Sequence, residues 1–457
     1  MKKKKIIIQG FGAVGAATAV NVVSSNNFRN NFCVHCIDRP NKEGYKKIFE
    51  AKQGIFPIST SDKSLGKYLK QGIKKNKITF GFDNKAYKNA DIIIISINCD
   101  LKNNNLIKID NFKKSIISIL ENISENTLIL VESTVPPGTC EKIIYPKIKN
   151  ILNKRGLDYN KIYLAHSFER VTPGRNYLTS CKNFFRVYSG INKVSEKKCR
   201  EFLSKIINIK KYPLTKLNSI TSSETCKLME NSYRAVNIAF IDEWLKFSNQ
   251  LNINLFEIID AIKKRVTHNN IMLPGLGVGG YCLTKDPLFA KISQKQIFKK
   301  NTSHFPLCSN AINVNKKMVN TSIDFIENNY KNKLKGKKIF IFGLSYKNEV
   351  GDIRHSPSIN LINKLIKKKS KCYYFDPFVN TDVLSNSKRV NFISNLKMYD
   401  LIIFTVNHHK FKQIKVDKSE IKKGAYVFDL NNVLTDRQVS MITKNKINFY
   451  SLGRNVL

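Results

Sequence analysis

Cys282 stands in the segment Gly279-Gly280-Tyr281-Cys282-Leu283-Thr284-Lys285-Asp286-Pro287. A cysteine in a chain of this composition is usually an inert core thiol, but glycines on one side and Lys-Asp-Pro on the other favour a tight, functional turn and a candidate nucleophile. The same chain begins with Gly10-Phe11-Gly12-Ala13-Val14-Gly15, a dinucleotide-binding fingerprint. A nicotinamide site and a cysteine nucleophile in one chain point to oxidation through a covalent thioester rather than to simple alcohol-to-ketone chemistry.

These groups need particular elements to position them. Residues 4–9, Lys-Lys-Ile-Ile-Ile-Gln, read as a buried strand that turns into a helix, which is the context the fingerprint requires. Gly10 allows the tight turn, Gly12 lets backbone approach a pyrophosphate, and Gly15 lets the helix pack on the strand. The helix N-terminus, with Val14 in its first turn, supplies oriented N–H donors. A second apolar run, 32–37, ends at Asp38, close to the spacing of a carboxylate that accepts from a ribose 2′-OH. That carboxylate would repel a 2′-phosphate, so NAD is favoured over NADP.

The chain has 457 residues, too many for one ordinary core. Strand-length apolar runs at 6–9, 32–37, 92–97, 127–131 and 162–164 alternate with helical stretches, as in a doubly wound parallel sheet. Residues 222–250 contain no Gly or Pro, and Leu228, Val236, Phe240 and Trp244 recur at helical spacing, which predicts one long helix. Strand patterns resume at 337–343, 373–375, 401–406 and 426–430. The expected fold class is α/β, with two Rossmann-like doubly wound domains joined by a central helical domain that carries the long connecting helix. The expected boundaries are 1–210 for the cofactor domain, 211–330 for the helical centre and 331–457 for the C-terminal domain.

No apolar run approaches the ~20 residues of a membrane span. The lysines of residues 2–5 resemble the start of a signal peptide, but the apolar stretch stops at Ile8 and glycines come next, so a first strand and a cytoplasmic protein are expected. Ten cysteines without a regular framework read as reduced thiols. Cys33-Val34-His35-Cys36 lacks a second ligand pair and falls where the fold needs a strand, so no metal is expected. The net charge of +44 points toward polyanions, yet its lysines are scattered among Asn and Ile and no nucleic-acid recognition module is visible.

Read in order, the chain resembles the UDP-glucose/GDP-mannose dehydrogenase family over essentially its whole length. Besides the fingerprint, the resemblance rests on Ser133-Thr134-Val135-Pro136-Pro137-Gly138-Thr139, Ser167-Phe168-Glu169-Arg170-Val171-Thr172-Pro173-Gly174 and the run from Lys227 through Asn231 and Arg234 to Asn237. The Cys282 segment, Gly343-Leu344-Ser345-Tyr346-Lys347 and the run from Gly351 through Arg354 to Pro357 complete it. It implies an NAD-dependent four-electron oxidation of a nucleotide-sugar C6 alcohol to a carboxylate, through a thiohemiacetal and thioester on Cys282. By the same analogy Lys227 stabilises the alkoxide and oxyanion, Asn231 orients substrate or water, and Asp286 accepts a proton from that water, assisted by Glu169 and Thr134. Lys227 and Asn231 are four apart on the expected helix and project from one face.

Cofactor contacts are expected from Gly10, Gly12, Val14, Gly15, Asp38, Ser133, Thr134 and Arg354. Substrate contacts are expected from Glu169, Arg170, Lys227, Asn231, Arg234, Gly275, Gly279 and Lys347. Thr134 equally suits a role in shaping the Pro136-Pro137 turn, and Lys347 and Arg354 are distinguished only by motif from the other surface charges. The family's arrangement implies a homodimer built on the long helix. The expected substrate is a UDP-sugar or GDP-sugar, and the stretch from Glu169 to Gly174 looks more like members acting on UDP-N-acetylhexosamines than like UDP-glucose enzymes. The chain departs from the family pattern at Phe168, where Pro is common, at Tyr281, where Ser or His is common, and at Thr284, where Pro is usual. Two other readings stand beside this one: a two-electron hydroxyacid-type dehydrogenase, which would need no acyl-cysteine, and a basic nucleic-acid-binding protein on a nucleotide fold.

Overall fold

A computed structural model describes residues 3–25, 32–101, 107–301, 305–330, 333–380, 382–390, 396–417 and 419–454. The chain forms two compact units, Met1–Glu230 with Leu288–His304, and Asn231–Pro287 with Phe305–Leu457. The division falls inside the long helix, Ile220–Gln250, which begins two residues earlier than its sequence pattern suggests.

The first unit carries β1 (Lys4–Gln9), β2 (Phe32–Ile37), β3 (Ile78–Gly81), β4 (Ile92–Ile95), β5 (Asp100–Leu101), β6 (Ile107–Lys108), β7 (Leu128–Val131), β8 (Tyr163–His166), β9 (Val187–Gly190) and β10 (Thr215–Lys216). Eight of these make one sheet in the order β10-β9-β8-β7-β4-β1-β2-β3, and β5 pairs with β6. Every pairing in the large sheet is parallel except that of β8 with β9. Strand order reverses where β1 separates β2 from β4, the switch point at which such sheets hold ligands beyond their C-terminal ends.

Side-chain alternation explains why this sheet is covered on both faces. Ile6, Ile8, Ile92, Ile94, Leu128 and Leu130 enter one core cluster, while Ile7, Ile93, Ile95, Ile129 and Val131 enter another. At the end of β7 the buried Glu132 accepts from Thr18 Oγ1 at 2.7 Å and from Arg186 Nη2 at 2.7 Å. This pair ties the first helix, Ala13–Ser24, to the strand that leads into Ser133 and Thr134. A buried charge needs such a partner, because removing either member would strand the other out of water.

The second unit carries β11 (Lys338–Phe342), β12 (Lys371–Phe375), β13 (Lys388–Arg389), β14 (Leu401–Phe404), β15 (Tyr426–Asp429) and β16 (Asn448–Ser451), in the order β13-β12-β11-β14-β15-β16. All its pairings are parallel. Again the faces alternate, with Ile339, Ile341, Leu401 and Ile403 on one side and Phe340, Phe342, Ile402 and Phe404 on the other. Two Rossmann-like sheets and a helical segment between them in sequence are therefore the architecture.

The differences from the sequence pattern lie at strand ends and edges. The run at 92–97 gives only Ile92–Ile95, because the Ser133 hydroxyl turns the chain after it aside, lying 3.1 Å from the carbonyl of Ile95 and 2.7 Å from that of Ile97. Strands β3, β9, β10, β13 and β16 carry no clear apolar run, being short, peripheral or interrupted by polar residues.

The stripe named on the long helix also divides. Leu228 is buried in the core of the first unit and Val236 is half-buried, whereas Phe240 and Trp244 are about half exposed, at 50% and 47%. Residues spaced by four drift around a helix of 3.6 residues per turn, so this series does not stay on one face. Met229, Tyr233, Phe240, Trp244 and Phe247 are the exposed large apolar side chains of this helix, and the exposed Leu251 follows its end. No helix among the described residues is long and apolar enough to cross a membrane.

Candidate active site

In the first unit the fingerprint adopts the expected strand–turn–helix. Gly10 has a φ of +98°, and a Cβ on Gly15 would lie 1.9 Å from the Gly10 carbonyl oxygen, so helix and turn touch through that glycine. A Cβ on Gly12 would meet nothing within 4 Å, and the helix that starts at Ala13 has no side-chain cap. Open space thus faces uncapped N–H groups, with Val14 half-buried in the first turn. Asp38 follows β2; its Oδ1 accepts from the backbone N of Arg39 at 2.7 Å, and its buried Oδ2 has no hydrogen-bond partner among the described residues. Lys47 Nζ lies 3.8 Å from that oxygen.

Beyond β7, Ser133 is engaged with backbone carbonyls as described above, while Thr134 is half-buried beside it. The following loop is held by Glu224 of the long helix, whose carboxyl accepts from the backbone N of Gly138 at 2.6 Å and of Cys140 at 2.8 Å. Burial pushes the Glu224 pKa up to about 8, against the pull of those donors.

Lys227 lies one turn further along. Its buried ammonium donates to the carbonyl of Glu169 at 2.9 Å, stands 4.0 Å from Glu169 Oε1 and sits 5.3 Å over the Phe168 ring. Glu169 Oε2 accepts from the backbone N of Val171. Arg170 is occupied by Glu230, to which it donates through Nε and Nη2, and by the carbonyl of Phe185. Its guanidinium is therefore committed to partners within the protein, although the side chain is partly exposed.

In the second unit the Cys282 turn is closed by its own carbonyl, which accepts from the backbone N of Lys285 at 3.1 Å and of Asp286 at 3.0 Å. The turn leaves Cys282 exposed and drives Asp286 to full burial. Asp286 Oδ2 accepts from Asn231 Nδ2 at 2.7 Å, and Oδ1 pairs with Lys285 Nζ at 2.8 Å. Thr284 donates to the carbonyl of Gly280 at 3.2 Å and so closes the same turn by a hydroxyl.

The glycines before Cys282 are packed against protein. A Cβ on Gly279 would come within 2.6 Å of Tyr346 Cβ and 2.8 Å of the His355 carbonyl, and one on Gly275 within 2.4 Å of Asn431 Oδ1. Arg354 donates to Asp352 through Nε and Nη2 and lies 5.5 Å over the Tyr281 ring. Lys347 is half-buried; burial first, and the Arg234 guanidinium second, hold its ammonium below the ordinary lysine range. Two cations that raise each other's energy suit a ligand carrying several negative charges.

Comparison with known proteins gives the arrangement a context. Residues 4–208 match the NAD binding domain of the UDP-glucose/GDP-mannose dehydrogenase family, 221–317 its central domain and 340–436 its UDP binding domain. The UDP-N-acetyl-D-mannosamine dehydrogenase of Methanococcus vannielii is 31% identical over 451 residues, covering 95% of this chain and 94% of that protein. This chain belongs to the UDP-glucose/GDP-mannose dehydrogenase family. The UDP-glucose 6-dehydrogenase of Rickettsia conorii is 27% identical over 426 residues, covering 90% of this chain and 92% of that one. In fold, the chain is similar to the UDP-D-ManNAc dehydrogenase of Pyrococcus horikoshii, with a TM-score of 0.79, 23% identity and coverage of 99% and 100%.

The residues present fit the family's NAD. The Asp38 oxygen that accepts no hydrogen bond, the open space at Gly12 and the uncapped helix are what a ribose hydroxyl and a pyrophosphate require. The second sheet has a carboxylate at the equivalent place, Asp376 directly after β12, but there the acceptor is already used. Asp376 Oδ2 accepts from the backbone N of Leu344 at 2.7 Å and of Ser345 at 2.9 Å, and lies 3.2 Å from His408 Nε2.

Sequence reasoning missed Lys285, Asp376 and His408. Lys285 sits within the motif singled out, but nothing in the spacing says that its ammonium is buried. Asp376 ends a strand as Asp38 does, which was a usable signal. His408 accepts from the backbone N of Glu349 through Nδ1, so its Nε2 carries the proton toward Asp376 and Ser345; no local pattern announces that role.

Proposed function

We propose that this protein oxidises C6 of a UDP-linked 2-acetamido hexose, of the UDP-N-acetylmannosamine type, from alcohol to carboxylate through a thioester on Cys282. One observation carries the chemistry: an exposed thiol shares a turn with a buried carboxylate held by an ammonium and an amide. The similarity to the Methanococcus vannielii enzyme over nearly the whole of both chains supports the sugar class. NAD, bound at the fingerprint and Asp38, supplies the oxidising equivalents for both two-electron stages.

The protein's own groups do the rest. Cys282 adds as thiolate to the C6 aldehyde, and Lys227 stabilises the alkoxide and the oxyanions that form at C6. Asn231, one turn along the same helix, orients the reacting oxygen. Asp286 accepts the proton of the water that hydrolyses the thioester, with Glu169 and Thr134 assisting proton transfer. Arg234 and Lys347 take the nucleotide diphosphate. Arg170 acts through Glu230 rather than by direct contact, and Arg354 through the Cys282 turn.

The expected result with purified protein is two NADH formed per sugar consumed, with an acidic product, and UDP-N-acetylmannosamine turned over faster than UDP-glucose or GDP-mannose. A stoichiometry of one with a stable aldehyde or ketone sinks the four-electron reading. Preference for GDP-mannose sinks the UDP assignment.

The functional unit in this reading is a homodimer, and the division 1–210, 211–330 and 331–457 belongs to the same reading. Phe240, Trp244 and Phe247 form an exposed edge-to-face ladder along the long helix, with ring centroids 6.3 and 5.6 Å apart. Large aromatic surface of this kind is usually covered by a partner. Sedimentation of the wild type should give a dimer, and a Trp244→Glu, Phe247→Glu double variant should sediment as a folded monomer. A monomeric, fully active wild type would contradict the assembly. A cytoplasmic location goes with charged co-substrates that do not cross a bilayer unaided.

A further inference from the structure

We propose that Lys285 is a positioning residue which, seated on the ring of Tyr281, supplies the counter-charge of the buried Asp286 and aims it for proton transfer. The proposal rests on the reading of Asp286 as the proton acceptor of the hydrolytic water.

Asp286 is fully buried, and a carboxylate out of water takes up a proton unless an opposite charge is near. Its two oxygens have different partners. Asn231 donates to Oδ2 at 2.7 Å but is neutral; the compensating charge is Lys285 Nζ, 2.8 Å from Oδ1 and itself only 8% exposed. Each carboxylate oxygen has a second acceptor site, so these partners leave room for a water proton.

Neighbours in sequence do not ordinarily pair in this way, and the local structure shows why these do. The backbone N–H groups of both residues converge on the carbonyl of Cys282, which folds the two side chains into one turn. The Lys285 ammonium then rests 4.4 Å from the centre of the Tyr281 ring, whose negative face favours a cation.

Other charges around this turn have other partners. Arg354, also over the Tyr281 ring, is paired with Asp352. The Tyr346 phenol is pushed up by burial and then by Asp352 and Cys282, and stays neutral in the working range. Arg234 and Lys347 act on one another. Cys282 itself is exposed at the turn. Among these groups Lys285 is the cation within ion-pair distance of Asp286.

The test compares wild type with Lys285→Met, Lys285→Arg and Tyr281→Leu, by the pH dependence of kcat and of thermal stability. In Lys285→Met the acidic limb of kcat should move to higher pH by at least one unit, which is about a tenfold loss or more on that limb, with recovery toward alkaline pH. KM for the sugar nucleotide should change little, and Lys285→Arg should restore most of the profile. Tyr281→Leu should move the limb in the same direction by less, and it decides the matter if Lys285→Met does not fold.

Thermal stability supplies a readout independent of turnover. An unpaired buried carboxylate favours its protonated form, so Lys285→Met should lose more stability at pH 8 than at pH 6, and adding Asp286→Asn should abolish that difference. If the wild type oxidised no nucleotide sugar, this second readout would still decide the pairing, while the assignment of Asp286 as base would fall separately. A folded Lys285→Met protein whose limb does not move, or whose pH-dependent destabilisation survives Asp286→Asn, overturns the proposal.

Discussion

Replacing Cys282 by alanine is expected to abolish uronic acid formation while leaving the fold and NAD binding intact. The side chain is exposed, and the turn that presents it is closed by backbone hydrogen bonds to its carbonyl, which alanine retains. The cost to stability should therefore be small, because no buried volume is removed. The chemical cost is total, since without the sulfur there is no thiohemiacetal to oxidise and no acyl group to hydrolyse. Intact-protein mass spectrometry gives the decisive measurement. In the wild type, or in an Asp286→Asn variant slowed in hydrolysis, acid quenching in the presence of sugar nucleotide and NAD should trap an adduct on Cys282. Cys282→Ala should form none. Should the adduct map to another of the ten cysteines, or should Cys282→Ala make acid at the normal rate, Cys282 is a structural thiol.

Lys227→Ala is expected to lower kcat by about 10²–10³-fold, the loss seen when one donor to a developing oxyanion is removed. Its ammonium is buried and already directed by the Glu169 carbonyl at 2.9 Å and the Phe168 ring, so it costs little reorganisation when charge appears at C6. Both oxidation stages and hydrolysis pass through an anionic oxygen there, so single-turnover rates for all three should fall together. Cys282→Ala differs, because it stops only the steps beyond the aldehyde. The Lys227 variant also leaves Glu169 without its cation, so circular dichroism and NAD affinity must be checked against wild type. A folded Lys227→Ala enzyme with kcat within about threefold of wild type would place the oxyanion partner elsewhere.

Much of this protein could be read from local order. The central strands appear as apolar runs because both faces of a doubly wound sheet are covered, so Ile6 to Ile8, Ile92 to Ile95 and Leu401 to Phe404 need no polar side chain. The edge strands β3, β10 and β13 escaped notice because short, half-covered strands carry little periodic signal. The fingerprint was legible for a similar reason: Gly10 and Gly15 are required by the backbone within a few residues of themselves.

The cysteine turn, the fingerprint and the long helix were thus determined by the sequence itself, since the first two depend on chain geometry over a few residues and the helix on a stretch without Gly or Pro. Which charge meets which was decided only by the tertiary structure. With 78 lysines and arginines against 34 acids, spacing cannot choose the partner of any one carboxylate. The fold commits Arg170 to Glu230, leaves Asp38 Oδ2 with no hydrogen bond among the described residues and only the Lys47 ammonium 3.8 Å away, and occupies the corresponding Asp376 with backbone donors. It also buries Asp286 between Lys285 and Asn231, residues 54 positions apart in the chain. Burial makes the Asp286 pairing strong, because a charge removed from water must find its counter-charge within the protein, and burial is a property of the whole packed unit rather than of any segment.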